Sequence, residues 1–162
     1  MQNLKENIEK LNNYLSDTSY NDIDIVDLIK YLSSKFGVKQ EIQKEKYQRL
    51  EEYIGDSKKV LLVLVDGFGY YKVNELSDSS ILKKNLRTGI RTVNPTSTAC
   101  VLTSVCSAKY PSEHGIFGWW QYLRSKNLNY CPLPMVERKT GKKVEDKGIN
   151  IKEVFDFESI FE

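Results

Sequence analysis

Histidine is nearly missing from this chain: His114 is the only one in 162 residues. Imidazoles therefore cannot supply the several ligands of a histidine-rich metal centre. The three cysteines, Cys100, Cys106 and Cys131, are odd in number and form no CxxC pair. They sit among apolar residues, which argues for buried free thiols in a reducing compartment rather than a disulfide framework. No apolar run approaches the ~20 residues of a membrane helix. The opening Met-Gln-Asn-Leu-Lys-Glu-Asn holds no apolar core of signal-peptide length. The cytoplasm is the expected location, with no membrane partner. Neither sign of charge dominates: 24 basic and 22 acidic residues leave a formal charge of +2. That balance does not point to nucleic acid. The small basic cluster of Arg138-Lys139 and Lys142-Lys143 is explained by a solvated loop, so no nucleic-acid partner is expected. There is no Gly-x-Ser-x-Gly elbow, no internal repeat and no low-complexity segment. Lys139-Thr140-Gly141-Lys142-Lys143 resembles the tail of a P-loop, but Val136 stands where that motif needs Gly, and Lys143 where it needs Ser or Thr.

What is present suits one globular domain of ordinary size: 40% apolar and 28% charged residues. Residues 1–57 read as a helical N-terminal segment. Leu4, Ile8, Leu11 and Leu15 form one apolar stripe. Asn21 or Asp22 is a candidate cap for a second helix carrying Val26, Ile29, Leu32 and Phe36, with Gly37 as its stop. A third, weaker helix runs through Ile42, Tyr47, Leu50 and Ile54. The charged residues here read as solvated helix faces, without chemistry of their own.

Residues 58–162 read differently. Val60-Leu61-Leu62-Val63-Leu64-Val65 is an uninterrupted, valine-rich apolar run, expected as a strand buried on both faces of a parallel sheet. Asp66-Gly67 ends it. One helix or two short ones are expected over about 70–86, a strand over Ile90–Val93, and a helix from about Thr98 to Ala108 with Val101, Leu102 and Val105 on one side. Asn94 precedes a proline and is expected to be extended. The stretch from Tyr110 to Tyr130 is aromatic and turn-rich. A basic, loop-like region follows Cys131-Pro132-Leu133-Pro134, and an apolar helical piece closes the chain from Val154 to Phe161. Alternating strands and helices give the α/β class.

Two positions stand out for chemistry. Asp66 lies at the carboxyl end of an apolar strand, where open α/β sheets bind ligands, and its carboxylate is a hard donor for Zn²⁺, Mg²⁺ or Mn²⁺. The alternative is an Asp that ends a strand by bonding the following amides. Thr98 falls where a helix begins. The free amides and positive dipole end of the first turn favour a phosphate and the alkoxide form of a hydroxyl. The alternative is an N-cap, a role for which Thr96, Ser97 and Thr98 compete. His114, between Glu113 and Gly115, reads as structural. Trp119, Trp120 and Tyr122 are candidates for stacking on a base or sugar, or for core and interface packing.

Three segments in register carry a resemblance: Leu62-Val63-Leu64-Val65-Asp66-Gly67-Phe68, Pro95-Thr96-Ser97-Thr98, and Tyr110-Pro111-Ser112-Glu113-His114-Gly115-Ile116. Together they resemble the alkaline phosphatase superfamily, in its type I phosphodiesterase and nucleotide pyrophosphatase branch, over about residues 59–123. The resemblance implies part of an alkaline-phosphatase-like sheet covered by helices. It implies a metal-dependent phosphoric ester hydrolase acting on a phosphate-ester or nucleotide-like small molecule. Asp66 would be a ligand to one of a pair of metal ions, usually zinc, with manganese or magnesium as alternatives. Thr98 would be the nucleophile, a ligand to the same metal and the site of a covalent phospho-enzyme. Where the nucleotide pyrophosphatase branch has an Asn that holds a phosphate oxygen, ungapped alignment puts Trp119.

Members of that superfamily draw their remaining Asp and His ligands from the C-terminal half of a much longer chain. Asp66 and Thr98 supply only part of the ~4 ligands of a zinc site. The chain is accordingly expected to be the N-terminal part of such an enzyme and inactive or nearly so alone. The competing expectation is a non-catalytic remnant or interaction module of the same fold. Either way, an incomplete sheet predicts self-association through an exposed edge.

Overall fold

The structure is a computed structural model that describes residues 4–8, 23–155 and 157–161. Residues 4–8 are helical, with Leu4 and Ile8 exposed. Leu11, Leu15, Asn21 and Asp22 lie outside the described residues. The next helix, α1 (Ile25–Lys35), is capped by Asp24. Its carboxylate accepts the Asp27 amide at 3.0 Å, and the Asp27 carboxylate accepts the Asp24 amide at 3.1 Å, a reciprocal pairing that satisfies two amides at the helix start. Gly37, at φ +95°, takes the left-handed turn that stops the helix after Phe36. Helix α2 (Lys44–Ile54) follows and ends at Gly55.

α1 organises two packed clusters. Ile25, Val26 and Ile29 pack with Val93, Cys100, Val105 and Ala108. Ile23 and Tyr31 pack with Leu50 of α2. The N-terminal helices thus share a core with the segment that carries Thr98. A single parallel bridge reinforces this, with Ile25 N–H donating to Arg91 O at 2.9 Å and Arg91 N–H to Ile23 O at 3.0 Å. The strand expected over Ile90–Val93 is reduced to that one bridge.

The largest departure concerns Val60–Val65. The run forms no strand and stays exposed, with Leu61 at 86% and Val63 at 68%. A strand exists only where another strand pairs with it, and among the described residues none does. The sheet that does form is three-stranded and antiparallel, in the order β1 (Gln121–Leu123), β2 (Leu128–Cys131), β3 (Val136–Glu137). The molecule therefore combines helices with a small antiparallel sheet, and the parallel sheet expected from the valine-rich run is not built among the described residues. Leu128, Tyr130, Val144 and Ile149 form a cluster beneath β2. Burial pushes the Tyr130 phenol up to about 12.

Between these parts lie α3 (Tyr70–Glu75) and α4 (Ile81–Lys84), the two short helices expected over 70–86. Helix α5 (Thr98–Ser107) comes next, then α6 (Pro111–His114). The Asn94–Pro95 peptide is cis. The last helix, α7 (Ile151–Val154), starts earlier than the apolar composition suggests. Asn150 caps it, accepting the Lys152 amide at 2.9 Å. The described residues of 155–161 are not helical, although Phe155 stacks edge-on against Phe157 and Ile160 packs on the main core. No helix among the described residues is long and apolar enough to cross a membrane.

Candidate active site

Asp66 and Thr98, 32 residues apart in sequence, line one cavity of about 490 Å³. Its polar side is made by Asp66, Thr92, Thr96 and Thr98, and its apolar side includes Phe68 and Tyr71. Each reaches the cavity for a local reason. Asp66 sits at a tight turn whose second residue, Gly67, has φ +70°, a conformation that costs other residues about 1–2 kcal/mol. Thr98 is the first residue of α5, and Ser97 is its N-cap, accepting the Cys100 amide at 3.4 Å. The three-way competition for the cap is thus settled in favour of Ser97, which leaves the Thr98 hydroxyl uncommitted. Neither the Asp66 carboxylate nor the Thr98 hydroxyl has a hydrogen-bond partner among the described residues. Lys72 lies over the ring of Tyr71, 5.3 Å from its centroid, and pairs with Glu75 at 3.0 Å.

The face of α5 that packs inward is Ala99, Cys100, Thr103, Ser104 and Ser107 with Val105. Val101 and Leu102, expected beside Val105, are half-buried and line the cavity, and Val101 also packs against the cluster that contains Val105. Sequence reading missed Thr92 and Tyr71. Thr92 carried a faint signal, since an extended chain with Val93 in the core turns its neighbour the other way. Tyr71 carried none.

His114 is buried and both ring nitrogens are occupied. Nδ1 accepts the Ile116 amide at 3.1 Å, and Nε2 lies 3.0 Å from Ser104 Oγ. An acceptor Nδ1 fixes the neutral tautomer with its proton on Nε2, donating to the serine. Burial lowers the pKa of this group below its ordinary value. The rest of the Tyr110-to-Ile116 segment is likewise architectural. Glu113 accepts the Tyr110 amide at 2.8 Å, Pro111 opens α6, and Gly115 ends it at φ +75°. All three cysteines are free, as expected, but Cys106 is exposed on the outer side of α5 rather than buried. Trp119, Trp120 and Tyr122 are exposed and do not line the cavity. Trp120 stacks under Arg138 at 5.3 Å. The P-loop-like residues form a reverse turn after β3, with Gly141 N–H donating to Glu137 O at 2.9 Å.

The cavity thus brings together a carboxylate residue and a hydroxyl residue at a helix start. Residues 60–137, just under half of the chain, match the family described as type I phosphodiesterase / nucleotide pyrophosphatase. The resemblance drawn from the three motifs is thus shown for this segment, and it is consistent with the alkaline phosphatase superfamily. No curated protein and no solved structure matches the chain. The match contains both Asp66 and Thr98 and excludes α1 and α2.

That superfamily implies a pair of metal ions. No group of three or more His, Cys, Asp or Glu among the described residues is arranged to hold one. The cavity offers one carboxylate and three threonine hydroxyls, short of the about three protein ligands of a catalytic zinc. The described residues do not by themselves fit a metal centre.

Proposed function

We propose that the cavity between the Asp66 turn and the start of α5 is the phosphoryl-transfer half-site of a phosphodiesterase-type hydrolase, with Thr98 as nucleophile. The single observation supporting this is that Asp66 and Thr98 share one cavity inside the family match. In this reading the phosphate sits at the amino end of α5, where the helix dipole favours its charge. The Thr98 hydroxyl attacks phosphorus, one ester oxygen leaves with the proton, and the phosphoryl group, still esterified on its other side, stays on Thr98 until water attacks it, restores the hydroxyl and releases a phosphate monoester. Phe68 and Tyr71 pack against the leaving group. Asp66 is proposed as one ligand to a divalent cation, zinc before manganese or magnesium, whose other donors lie outside the described residues.

Two measurements test the reading. Mass spectrometry after incubation with an aryl phosphodiester and Zn²⁺ or Mn²⁺ should find a phosphoryl group on Thr98 and none in Thr98→Ala. Calorimetric titration of Zn²⁺ should show a binding event lost in Asp66→Ala. Absence of both would reduce the cavity to an inherited shape without activity. A second reading, a non-catalytic interaction module, is favoured by one observation, the exposed Val60–Val65 run.

A further inference from the structure

Exposure alternates along that run. Leu61, Val63 and Val65 are 86%, 68% and 61% exposed, while Val60, Leu62 and Leu64 are 37%, 38% and 45% exposed. A period of two is the mark of extended backbone with one face laid on the body of the protein. On that inner face, Val60 and Leu62 line an apolar cavity of about 210 Å³ with Ile29, Leu32, Phe36 and Phe161. The segment therefore has the shape of a strand. Yet among the described residues, 60–65 make no backbone hydrogen bond to any other segment. An extended apolar segment with open backbone groups is a template for another strand.

Charge at its ends selects the occupant and the direction. Lys58 and Lys59 precede the run and Asp66 follows it. Two copies laid parallel would set lysine beside lysine and aspartate beside aspartate. Laid antiparallel, the lysines of each copy meet the carboxylate of the other, at both ends. The alternation also restricts register. Inner residues must face inner residues, and the register centred on Leu62 achieves this while placing Lys58 directly across from the partner's Asp66.

We propose that residues 60–65 of two copies of this chain pair antiparallel about a two-fold axis, giving a homodimer with a continuous two-stranded ribbon. Such an interface is isologous, so it closes at two copies. The proposal rests on exposure and end charges; it shares Leu64, Val65 and Asp66 with the Thr98 cavity, and its readout is the oligomeric state, which needs no turnover at Thr98.

Sedimentation equilibrium of the full chain over a dilution series tests it. The expected species has twice the 18.8 kDa chain mass. Val63→Lys, at a position exposed in the monomer, should give a monomer with an unchanged circular dichroism spectrum. Lys58→Asp should raise the dimer dissociation constant roughly tenfold at low salt, from two symmetric pairs turned repulsive. Adding Asp66→Lys to Lys58→Asp should restore the wild-type value. A monomer at every concentration, or association indifferent to Val63→Lys, would overturn the proposal. So would failure of the double exchange to restore it, or protection of amides 60–65 from hydrogen exchange in a monomer.

Discussion

Ser104 of α5 and His114 of α6 meet in the interior, with Oγ and Nε2 3.0 Å apart and both residues buried. The contact joins the helix that begins at Thr98 to the turn that follows it. His114 completes the link by accepting the Ile116 amide, so one imidazole ties two elements and the chain beyond them. Protonation would put a second donor where the ring now accepts. The folded pKa is lowered, chiefly by burial, from the ordinary 6.5. The sign follows from linkage. Between the folded and unfolded pKa values the unfolded chain binds a proton that the native chain does not. The His114 contribution is therefore intact above about pH 6.5 and is lost as pH falls from there toward the folded value. Because the chain has no other histidine, urea midpoints measured from about pH 7.5 down to about pH 5.5 should fall mainly through this group. In His114→Gln that slope should flatten. Ser104→Ala should cost about 1–3 kcal/mol by leaving a buried ring donor unpaired. An unchanged slope in His114→Gln would show that carboxylates dominate instead.

Ser97 and Thr98 are neighbours with separable duties. Ser97 caps α5, and Thr98 lines the cavity. Ser97→Ala should lower stability by about 1 kcal/mol. Thr98→Ala should change stability by less and should abolish phosphoryl capture at that residue. Denaturant titration and phosphoryl-group mass spectrometry on both variants check the pair. Loss of stability in Thr98→Ala equal to that in Ser97→Ala would return Thr98 to a structural role.

Helices α1 to α5 were legible in the sequence because their signals are local, whereas the closing helix expected over Val154–Phe161 lies at Ile151–Val154 and the cap of α1 is Asp24 rather than Asn21 or Asp22. A capping hydroxyl before an apolar-rich stretch located α5 to within a residue at each end, and Gly37 marked the stop of α1. The Val60–Val65 run misled for the opposite reason. Its composition describes a strand, but pairing is a property of two segments, and nothing in the run names its partner. The antiparallel sheet went unseen because its strands are two to four residues long, too short for a period to show. In the candidate site, Asp66 and Thr98 were visible as residue types at element ends. The side chains that complete the cavity, Thr92 and Tyr71, are placed by tertiary packing.

Lys46 and Asp27 form an ion pair at 2.7 Å between α2 and α1, with side-chain exposures of 15% and 9%. Asp27 also accepts the Asp24 amide, so the same carboxylate serves the cap and the helix pair. Removing the lysine leaves that charge poorly solvated. Lys46→Met should destabilise the protein by about 3 kcal/mol, nearer the cost of a broken buried pair than of a surface one. Thermal or urea unfolding measures this. A loss within about 0.5 kcal/mol of zero would show that solvent reaches Asp27 freely.

Tyr110 reaches back across the core to α1, its hydroxyl donating to Asp24 Oδ2 at 2.9 Å. The partner is the carboxylate that caps α1, so this bond holds together elements 86 residues apart in sequence. Burial, and then the hydrogen bond to Asp24, raise the Tyr110 phenol above its ordinary range. A raised phenol means that the folded state keeps a proton that the unfolded chain releases. The stabilisation is complete below the unfolded value of about 10 and is lost as pH rises beyond it. Tyr110→Phe removes the donor but keeps the ring, so Asp24 loses one partner and retains the Asp27 amide. A cost of about 1.5–3 kcal/mol is expected, typical of a hydrogen bond to a charged group. Above about pH 10 its stability should also fall less steeply with pH than that of the wild type, because the group that would have titrated is gone. The two effects are linked: a Tyr110→Phe variant that lost stability at neutral pH yet kept the wild-type slope above about pH 10 would assign the alkaline transition to Tyr31, whose phenol is also raised by burial and donates to Glu51.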